Sequence, residues 1–466
     1  MMPGCVENTM HYDSIGRPVH QRVRHNGRTL LDKSYTWGDN LRLLRTFDTI
    51  NRRSVRYDYD AFGSLSGAVY GDGSRQWRNP DLMGNVYDSP DRTDRNYGRG
   101  GQLREDRKWR YYYDSHGNLV LKTMRRMEPS RNAEARDEFL QWQSGDYAYT
   151  WQANGVLRSV TRPDGKTVTF RYDALGRRIE KVFDGRVYRY LWDGDVILHE
   201  WDYAEADRPN TIVTEAGEVT LDRPEPVENL ITWVYDSDSY VPTAKIVGDR
   251  HYSIISDYIG RPVQVYDDNG NIVWQADYDI YGNVRNLHGS RQFIPFRQLG
   301  QYEDEETGLY YNRFRYYDPG IGNYISQDPI RLAGENPTLY GYVEDCNKFI
   351  DLFGLKGDYY QIPQIPGHQK HHIIPQSTKH PLLDRLGFDV HQNKNIIQLP
   401  TNPSIDATRT IHKGRHNSAY DRMILNRLDA IESLNASDHI KKLHLDDMME
   451  NIGDDLRNKR IKLNCN

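Results

Sequence analysis

The feature that most constrains this chain is a short motif, Tyr-Asp-x-x-Gly, which recurs through its first 326 residues. Clear copies begin at Tyr12, Tyr59, Tyr113, Tyr172 and Tyr278. In such a motif the Asp accepts backbone hydrogen bonds within a turn, and the Gly supplies a positive φ. The flanking segments alternate polar and apolar residues, as in KTVTFRYD and RVYRYLW, which is typical of half-buried strands. The motif therefore predicts a long antiparallel strip of hairpins.

Composition narrows the class of protein. The 466 residues are long enough for two or more domains, and 34 Tyr supply much of the apolar surface, so the chain is not of the disordered class. Three widely separated Cys indicate neither a disulfide framework nor a metal site. There is no apolar run that would span a bilayer and no signal-peptide pattern. We expect synthesis in the cytoplasm and, if the protein is exported, export that reads no N-terminal signal or export as part of a longer polypeptide.

The character of the chain changes after residue 355. Only three of the 34 Tyr lie beyond that point, but nine of the 16 His do. The tail from residue 356 carries 16 Lys and Arg against 13 Asp and Glu, whereas the whole chain has a net charge of −5. A slightly basic tail suits a nucleic-acid ligand without requiring one.

The repeats and the junction segment, residues 327–355, resemble Rhs/YD-repeat proteins. The junction reads QDPIRLAGENPTLYGYVEDCNKFIDLFGL and is similar to the terminal motif of that family. The resemblance implies an aspartyl protease pair, Asp328 and Asp351, that cuts the chain between Leu355 and Lys356. Two carboxylates held together do not both ionise readily, so one can act as acid while the other activates water. Arg331 and Leu352 depart from the family pattern, whereas both Asp and the final Gly-Leu are present.

The tail carries paired and spaced histidines. KHHIIP contains His371 and His372, Asn395 follows, and His412 and His416 are four positions apart. A strand places His371 and His372 on opposite faces, and a helix would place His412 and His416 on one face. A divalent ion bound by imidazoles, with a free imidazole as base, is suited to phosphodiester hydrolysis.

This order of residues resembles the AHH branch of the HNH (His-Me finger) nucleases. The resemblance implies that His371 and His416 are metal ligands, that His372 is the general base, and that Asn395 orients the loop of the base. It leaves His412 as a second ligand or a phosphate contact. Lys413 and Arg415 suit the nucleic-acid backbone. We expect Mg²⁺ as the ion, although imidazole ligands also accept Zn²⁺, Ni²⁺ or Mn²⁺.

The predicted fold is mainly β: a YD-repeat strip over residues 1–326, forming part of an Rhs cage, the junction segment, and a small α+β nuclease domain of ββα-metal type over residues 356–466. A different antiparallel solenoid is the structural alternative.

The resemblance implies an interbacterial toxin whose tail is a metal-dependent endonuclease, with DNA rather than RNA as the expected substrate. We expect a type VI-like or cell-surface route of delivery, after which the tail acts in the cytoplasm of the target cell. The expected partners of the toxin are a cognate immunity protein and a secretion spike or N-terminal cage portion on another chain. A carbohydrate-binding adhesive protein and a peptidase acting in trans are the functional alternatives.

Overall fold

The computed structural model describes residues 6–13, 16–38, 42–126, 138–236, 239–331, 338–355, 367–388, 390, 395–412 and 418–463. The chain forms two compact units, Met1–Lys356 and Gly357–Asn466. No helix in these ranges is long and apolar enough to cross a membrane.

The first unit begins with an antiparallel meander in which each strand pairs with the next. Its strands are β1 (Val6–Tyr12), β2 (Pro18–His25), β3 (Arg28–Trp37), β4 (Leu43–Asp48), β5 (Arg53–Tyr59), β6 (Leu65–Tyr70) and β7 (Arg75–Trp77). A short pair follows, β8 (Asn79–Pro80) and β9 (Val86–Tyr87).

A much longer antiparallel meander makes up the rest of the strip. It contains β10 (Asn96–Tyr97), β11 (Leu103–Glu105), β12 (Arg110–Tyr113), β13 (Leu119–Thr123), β14 (Tyr147–Trp151), β15 (Leu157–Thr161), β16 (Thr167–Tyr172), β17 (Arg178–Phe183), β18 (Arg186–Asp193) and β19 (Val196–Ala204). After a projecting hairpin, β20 (Thr211–Val213) and β21 (Val219–Leu221), it continues with β22 (Glu228–Tyr235), β23 (Pro242–Val247), β24 (Arg250–Ser256), β25 (Pro262–Tyr266), β26 (Ile272–Tyr278) and β27 (Val284–His288). Short 3₁₀ turns lie at Arg99–Gly101, Glu205–Asp207 and Arg291–Phe293.

Where the repeat motif joins two strands, it forms the turn that its residues predict. At Asp173, the carboxylate Oδ1 accepts the backbone N–H groups of Leu175 (2.9 Å) and Arg177 (2.8 Å). Gly176 completes the turn with a φ of +74°. The turn is therefore a local consequence of Asp and Gly at their fixed spacing.

The repeat tyrosine has a role that the motif alone does not reveal. In each of four copies its hydroxyl donates to the backbone carbonyl of the first residue of the preceding strand, at 2.7 to 3.0 Å. The pairs are Tyr59 with Leu43, Tyr113 with Leu103, Tyr172 with Leu157 and Tyr278 with Pro262. Each ring thus fills the core while its polar end ties one hairpin to the strand before it.

A small four-stranded sheet, called the inner sheet below, is buried against the strip. Its strands are β28 (Tyr302–Asp304), β29 (Leu309–Asn312), β30 (Arg315–Asp318) and β31 (Asn323–Tyr324). Tyr310 and Tyr317 pack in one buried cluster with Leu65, whereas Tyr311 and Tyr316 pack in another with Leu103 and Val160. Because side chains alternate along a strand, the two faces of the inner sheet contact two separate parts of the strip.

The second unit combines a short hairpin with helices. The hairpin pairs β32 (His368–His372) with β33 (Ile396–Pro400), and the helices are α1 (Pro381–Arg385), α2 (Ser418–Glu432) and α3 (Asp438–Arg457). Aliphatic side chains from the three helices, from β33 and from the loop after β32 form one core, which includes Ile374, Leu399, Ile424, Leu428 and Ile452. The predicted mainly β fold with a small α+β unit is confirmed.

Candidate functional site

The junction segment contains a buried cluster of charged side chains. Asp328 and Asp351 are buried, and both approach the same nitrogen of Arg315, Nη2, at 2.8 Å and 3.2 Å. The predicted acid pair is therefore held around one guanidinium group. A cation placed between two carboxylates offsets their mutual repulsion, so a proton shared by the pair is not the only way to accommodate both acids.

Arg315 was not among the residues predicted from the sequence. It lies in the last repeat copy, at the start of β30, and its guanidinium stacks 3.7 Å from the centre of the Tyr324 ring. The Tyr324 hydroxyl donates to Asp351 Oδ2 at 2.9 Å. Burial, together with the neighbouring Asp351, raises the pKa of Tyr324 well above its usual value, so this hydroxyl remains a donor.

The same cluster holds the peptide that precedes the predicted cut. The Gly354 carbonyl accepts from Arg315 Nε, and the Leu355 N–H donates to Asp351 Oδ1 at 2.9 Å. Gly354 has a φ of +68°, and an added Cβ there would lie 2.6 Å from the Asn312 carbonyl oxygen. A glycine is therefore required for the chain to pass this close to Asn312. Lys356, on the far side of the predicted cut, lies outside the described residues.

In the second unit, β32 presents the paired histidines on opposite faces. His371 is buried, whereas His372 is partly exposed and its Nε2 lies 3.1 Å from the amide nitrogen of Gln376. This difference suits a buried ligand and an accessible base, the roles that we predicted for these two histidines.

Asn395 braces the loop that follows the pair. Its side chain accepts the N–H of Ile374 at 2.6 Å and donates to the carbonyls of Ile374 at 2.9 Å and Val390 at 2.8 Å. It is completely buried, so it does not itself contact a substrate. The predicted role as an orienting residue is compatible with these contacts.

His371 faces two further side chains. Its ring centre lies 4.8 Å from that of His412 and 5.3 Å from that of Tyr420. His371 Nε2 is 3.2 Å from the Tyr420 hydroxyl, which donates to the Ile373 carbonyl at 2.7 Å. Burial raises the pKa of Tyr420 above its usual value, so its hydroxyl keeps the proton that it donates.

The expected helical pairing of His412 with His416 was wrong in one respect. His412 is buried but not helical: its N–H donates to the Pro400 carbonyl at 2.9 Å, next to β33. The chain turns through residues 401–409 after β33, and this hydrogen bond then places His412 beside the end of β33. Lys413, Arg415 and His416 lie outside the described residues, so their predicted roles stay predictions.

The donor set is compatible with a divalent ion of the transition series. His371 and His412 bring two imidazoles together, and imidazole is a ligand for Zn²⁺, Ni²⁺ and Mn²⁺. In the part of the chain that the structure describes, no group of three or more His, Cys, Asp or Glu is arranged to hold a metal. His416, the second metal ligand that the sequence predicts, lies outside the described residues.

Comparison with known proteins identifies the repeat-bearing part. Residues 4–339 match the family model described as Teneurin YD-shell. The chain belongs to the Teneurin YD-shell family. Residues 354–456 match a model described as a nuclease family of the HNH/ENDO VII superfamily with conserved AHH. Both resemblances seen in the sequence are thereby confirmed, and the chain is a YD shell followed by an AHH-type domain.

Several curated relatives are 30–32% identical to this chain over the residues that align with it. Double-stranded DNA deaminase toxin A of Burkholderia cenocepacia is 32% identical over 395 residues, covering 77% of this chain and 25% of the relative. Probable deoxyribonuclease RhsB of Dickeya dadantii is 32% identical, covering 56% and 16% respectively. The tRNA3(Ser)-specific nuclease WapA of Bacillus spizizenii is 30% identical, covering 40% and 7%. The chain therefore spans a quarter or less of these relatives.

Among solved structures, a crystal structure of TcdB2-TccC3 without its hypervariable C-terminal region has 16% sequence identity and a TM-score of 0.40. The similarity covers 75% of the present chain and 20% of the chain in that crystal structure.

Proposed function

We propose that the AHH-type domain is a metal-dependent endonuclease and that the YD shell belongs to a toxin that delivers it. One observation carries the proposal: the β32–β33 hairpin buries His371 against His412 while it leaves its neighbour His372 accessible. A buried ligand beside an accessible base is the arrangement that metal-assisted phosphodiester hydrolysis needs. The match of residues 354–456 to a nuclease family supports the same conclusion.

In this proposal each residue has a separate task. His371, His412 and His416 hold a divalent ion, which when bound polarises the scissile phosphate and stabilises the leaving oxygen. His372 takes a proton from the attacking water, and Asn395 holds the loop after His372 in place. Lys413 and Arg415 bind the phosphate backbone. Mg²⁺ is the first ion to test, followed by the ions that favour imidazole ligands, Mn²⁺, Ni²⁺ and Zn²⁺.

DNA is the substrate that we propose, although the names of the relatives do not agree on one activity. They include a DNA deaminase, deoxyribonucleases and tRNA nucleases. The substrate must therefore be decided by experiment. The full chain is incubated with DNA or with RNA of equal length in the presence of each divalent ion, and the two cleavage rates are compared.

The decisive experiment uses the full chain made by cell-free synthesis, since an active nuclease would harm a producing cell. His372→Ala should lower the rate of plasmid cleavage by about 100-fold or more. His444→Ala is the matched control, because His444 is exposed on α3 and has no predicted role. Equal cleavage by the wild type and His372→Ala, or no cleavage in any metal, would refute the proposal.

We also propose that the junction segment cuts the chain between Leu355 and Lys356. Two hydrogen bonds to the Gly354–Leu355 peptide support this proposal: Arg315 donates to its carbonyl, and its N–H donates to Asp351. They hold the peptide that precedes the proposed cut next to Asp351. One Asp would activate water for attack on the Leu355 carbonyl, and the other would protonate the Lys356 nitrogen as the peptide bond breaks. Arg315 would hold both carboxylates in place during this step.

Release of the domain in a rival bacterium would complete the proposed function. The producing cell would then need an immunity protein that binds residues 356–466, and delivery would need a secretion spike or further cage. Protection of a nuclease-expressing cell by a neighbouring gene product is the test, and toxicity that no such product relieves would count against this role.

A further inference from the structure

The contact between Tyr420 and His371 assigns the proton on the imidazole. A tyrosine hydroxyl has one hydrogen to donate and lone pairs to accept with. The Ile373 carbonyl, 2.7 Å away, has no hydrogen and can only accept, so the Tyr420 hydrogen goes there. The hydroxyl therefore faces His371 Nε2, at 3.2 Å, as an acceptor.

This assignment decides which nitrogen of His371 can bind a metal. A neutral imidazole carries its hydrogen on one nitrogen, and the other nitrogen keeps the lone pair that a metal ion needs. Because Nε2 is the donor to Tyr420, Nδ1 is the nitrogen with the lone pair. The Ile373 carbonyl also belongs to the residue directly after the histidine pair, so the contact ties α2 to the loop after β32.

We propose that Tyr420 is a positioning residue that holds His371 in the Nε2–H tautomer, so that His371 binds the divalent ion through Nδ1. This inference rests on the proposed nuclease function and adds to it the ligating atom and the residue that selects it. A hydrogen-bond partner on the second nitrogen of a ligating histidine fixes both its tautomer and its ring orientation.

Two substitutions at His371 test the ligating atom directly. An asparagine places an amide atom where Nδ1 lies, and a glutamine extends one bond further, towards the place of Nε2. In calorimetric titrations of the full chain with Ni²⁺, His371→Asn should keep measurable affinity and His371→Gln should bind at least about 10-fold more weakly than His371→Asn. Tighter binding by His371→Gln would overturn the inference.

Tyr420→Phe tests the positioning role. It removes the acceptor for His371 and should weaken Ni²⁺ binding by about 10- to 100-fold. The matched control is Thr410→Val, since Thr410 is buried in the same unit and also donates its hydroxyl to a backbone carbonyl, that of Ile461, at 2.6 Å. An equal loss of affinity in both variants would show that only packing matters and would overturn the positioning role.

Nuclear magnetic resonance of the metal-free chain with ¹⁵N-labelled histidine gives a readout that packing alone does not produce. The signals that disappear in His371→Asn identify the ring nitrogens, and we expect a protonated Nε2 and an unprotonated Nδ1. The reverse pattern would overturn the inference even if the chain is an active nuclease. A wild-type chain that binds no divalent ion would refute the nuclease proposal and this inference together.

Discussion

The two units of this chain differ in the kind of buried side chain that stabilises each unit internally. In the YD shell, Arg178, Arg297 and Arg315 are among the largest fully buried residues, and each contacts a buried carboxylate. Among the described residues of the AHH-type domain, the core consists of Ile, Leu and Met with one tyrosine, Tyr420. The shell thus combines tyrosine packing with ion pairs, whereas the smaller domain relies on aliphatic burial.

The difference follows from what each unit has to align. In the shell, the inner sheet packs against strands that are far away in sequence. Arg178 on β17, for example, forms an ion pair with Asp304 on β28, with 2.5 Å between Nη1 and Oδ2. Aliphatic contacts are non-directional, but a buried ion pair has a required partner and geometry. We infer that the ion pairs specify the register of the inner sheet, and that the smaller domain, with its short hairpin, has less need for such specification.

The largest expected effect is the loss of chain cleavage when the buried carboxylate of Asp351 is replaced. If the junction cluster cuts the chain, Asp351→Asn should reduce cleavage by about 100-fold or more, because the amide cannot act as acid or base. Electrophoresis and N-terminal sequencing measure the product, which should begin at Lys356.

Asp345→Asn is the matched control for this cut. Asp345 is buried in the same junction segment, and its Oδ1 accepts the backbone N–H of Asn347 at 2.9 Å, a hydrogen bond that the amide oxygen of Asn can also accept. Cleavage should persist in Asp345→Asn. Cleavage that persists in Asp351→Asn, or a wild-type chain that remains intact, would contradict the proposed cut.

The next effect tests the ion pairs of the shell. Asp304→Ala leaves Arg178 and Lys181 without their shared carboxylate inside the protein, and should cost about 3–5 kcal/mol of the free energy of unfolding of the shell. All nine Trp lie before residue 327, so tryptophan fluorescence reports on this unit alone.

The control is an ion pair on the surface. Asp184 and Lys166 lie 2.8 Å apart, with 59% and 50% of their side chains exposed, so Asp184→Ala should cost about 0–1 kcal/mol. If Asp304→Ala and Asp184→Ala lowered the free energy of unfolding equally, burial would not decide the contribution of an ion pair. The proposed difference between the two units would then be wrong.

A cavity in the aliphatic core should have a smaller and separately observed effect. Leu428→Ala on α2 removes a fully buried side chain and should cost about 2–4 kcal/mol, whereas Leu425→Ala on the same helix removes one that is 37% exposed and should cost much less. Circular dichroism at 222 nm follows the helices of this unit. A shift of the tryptophan transition in Leu428→Ala would show that the units unfold together.

The smallest effect is a pH dependence from a buried lysine of the shell. Burial lowers the pKa of Lys245 to about 8, and its ammonium donates to the Phe293 carbonyl at 2.8 Å. Above pH 8 the unfolded chain binds more protons at this residue than the folded chain, so stability should rise with pH towards the pKa of an unfolded lysine, by about 1 kcal/mol per pH unit.

Denaturant titrations followed by tryptophan fluorescence between pH 8 and 9.5 measure this slope. The range ends there because tyrosines of the unfolded chain begin to ionise near pH 10. Lys245→Met removes the titrating group and should flatten the profile. An unchanged slope in Lys245→Met would assign the pH dependence to other groups.

The site could be predicted in part from the sequence. The spacing of His371, His372 and Asn395 placed them on a hairpin and its adjoining loop, as the structure does. Arg315 was missed as a site residue and no role was predicted for Tyr420, because a single arginine in a repeat and a single tyrosine on a helix carry no local signal of what they contact. His412 was expected on a helix because of its spacing from His416, but it precedes α2, and its N–H donates to the Pro400 carbonyl at the end of β33 instead.

What the sequence by itself determined is local: the turns at each Asp and Gly, the alternation along the strands, and the order of the two units. These features depend on neighbours within a few residues, so a repeated motif predicts them well. Only the tertiary structure decided that Arg315 meets both Asp328 and Asp351 and that Tyr420 meets His371 across 49 positions of sequence. Such contacts depend on how whole sheets and helices pack, and no short stretch of sequence encodes that packing.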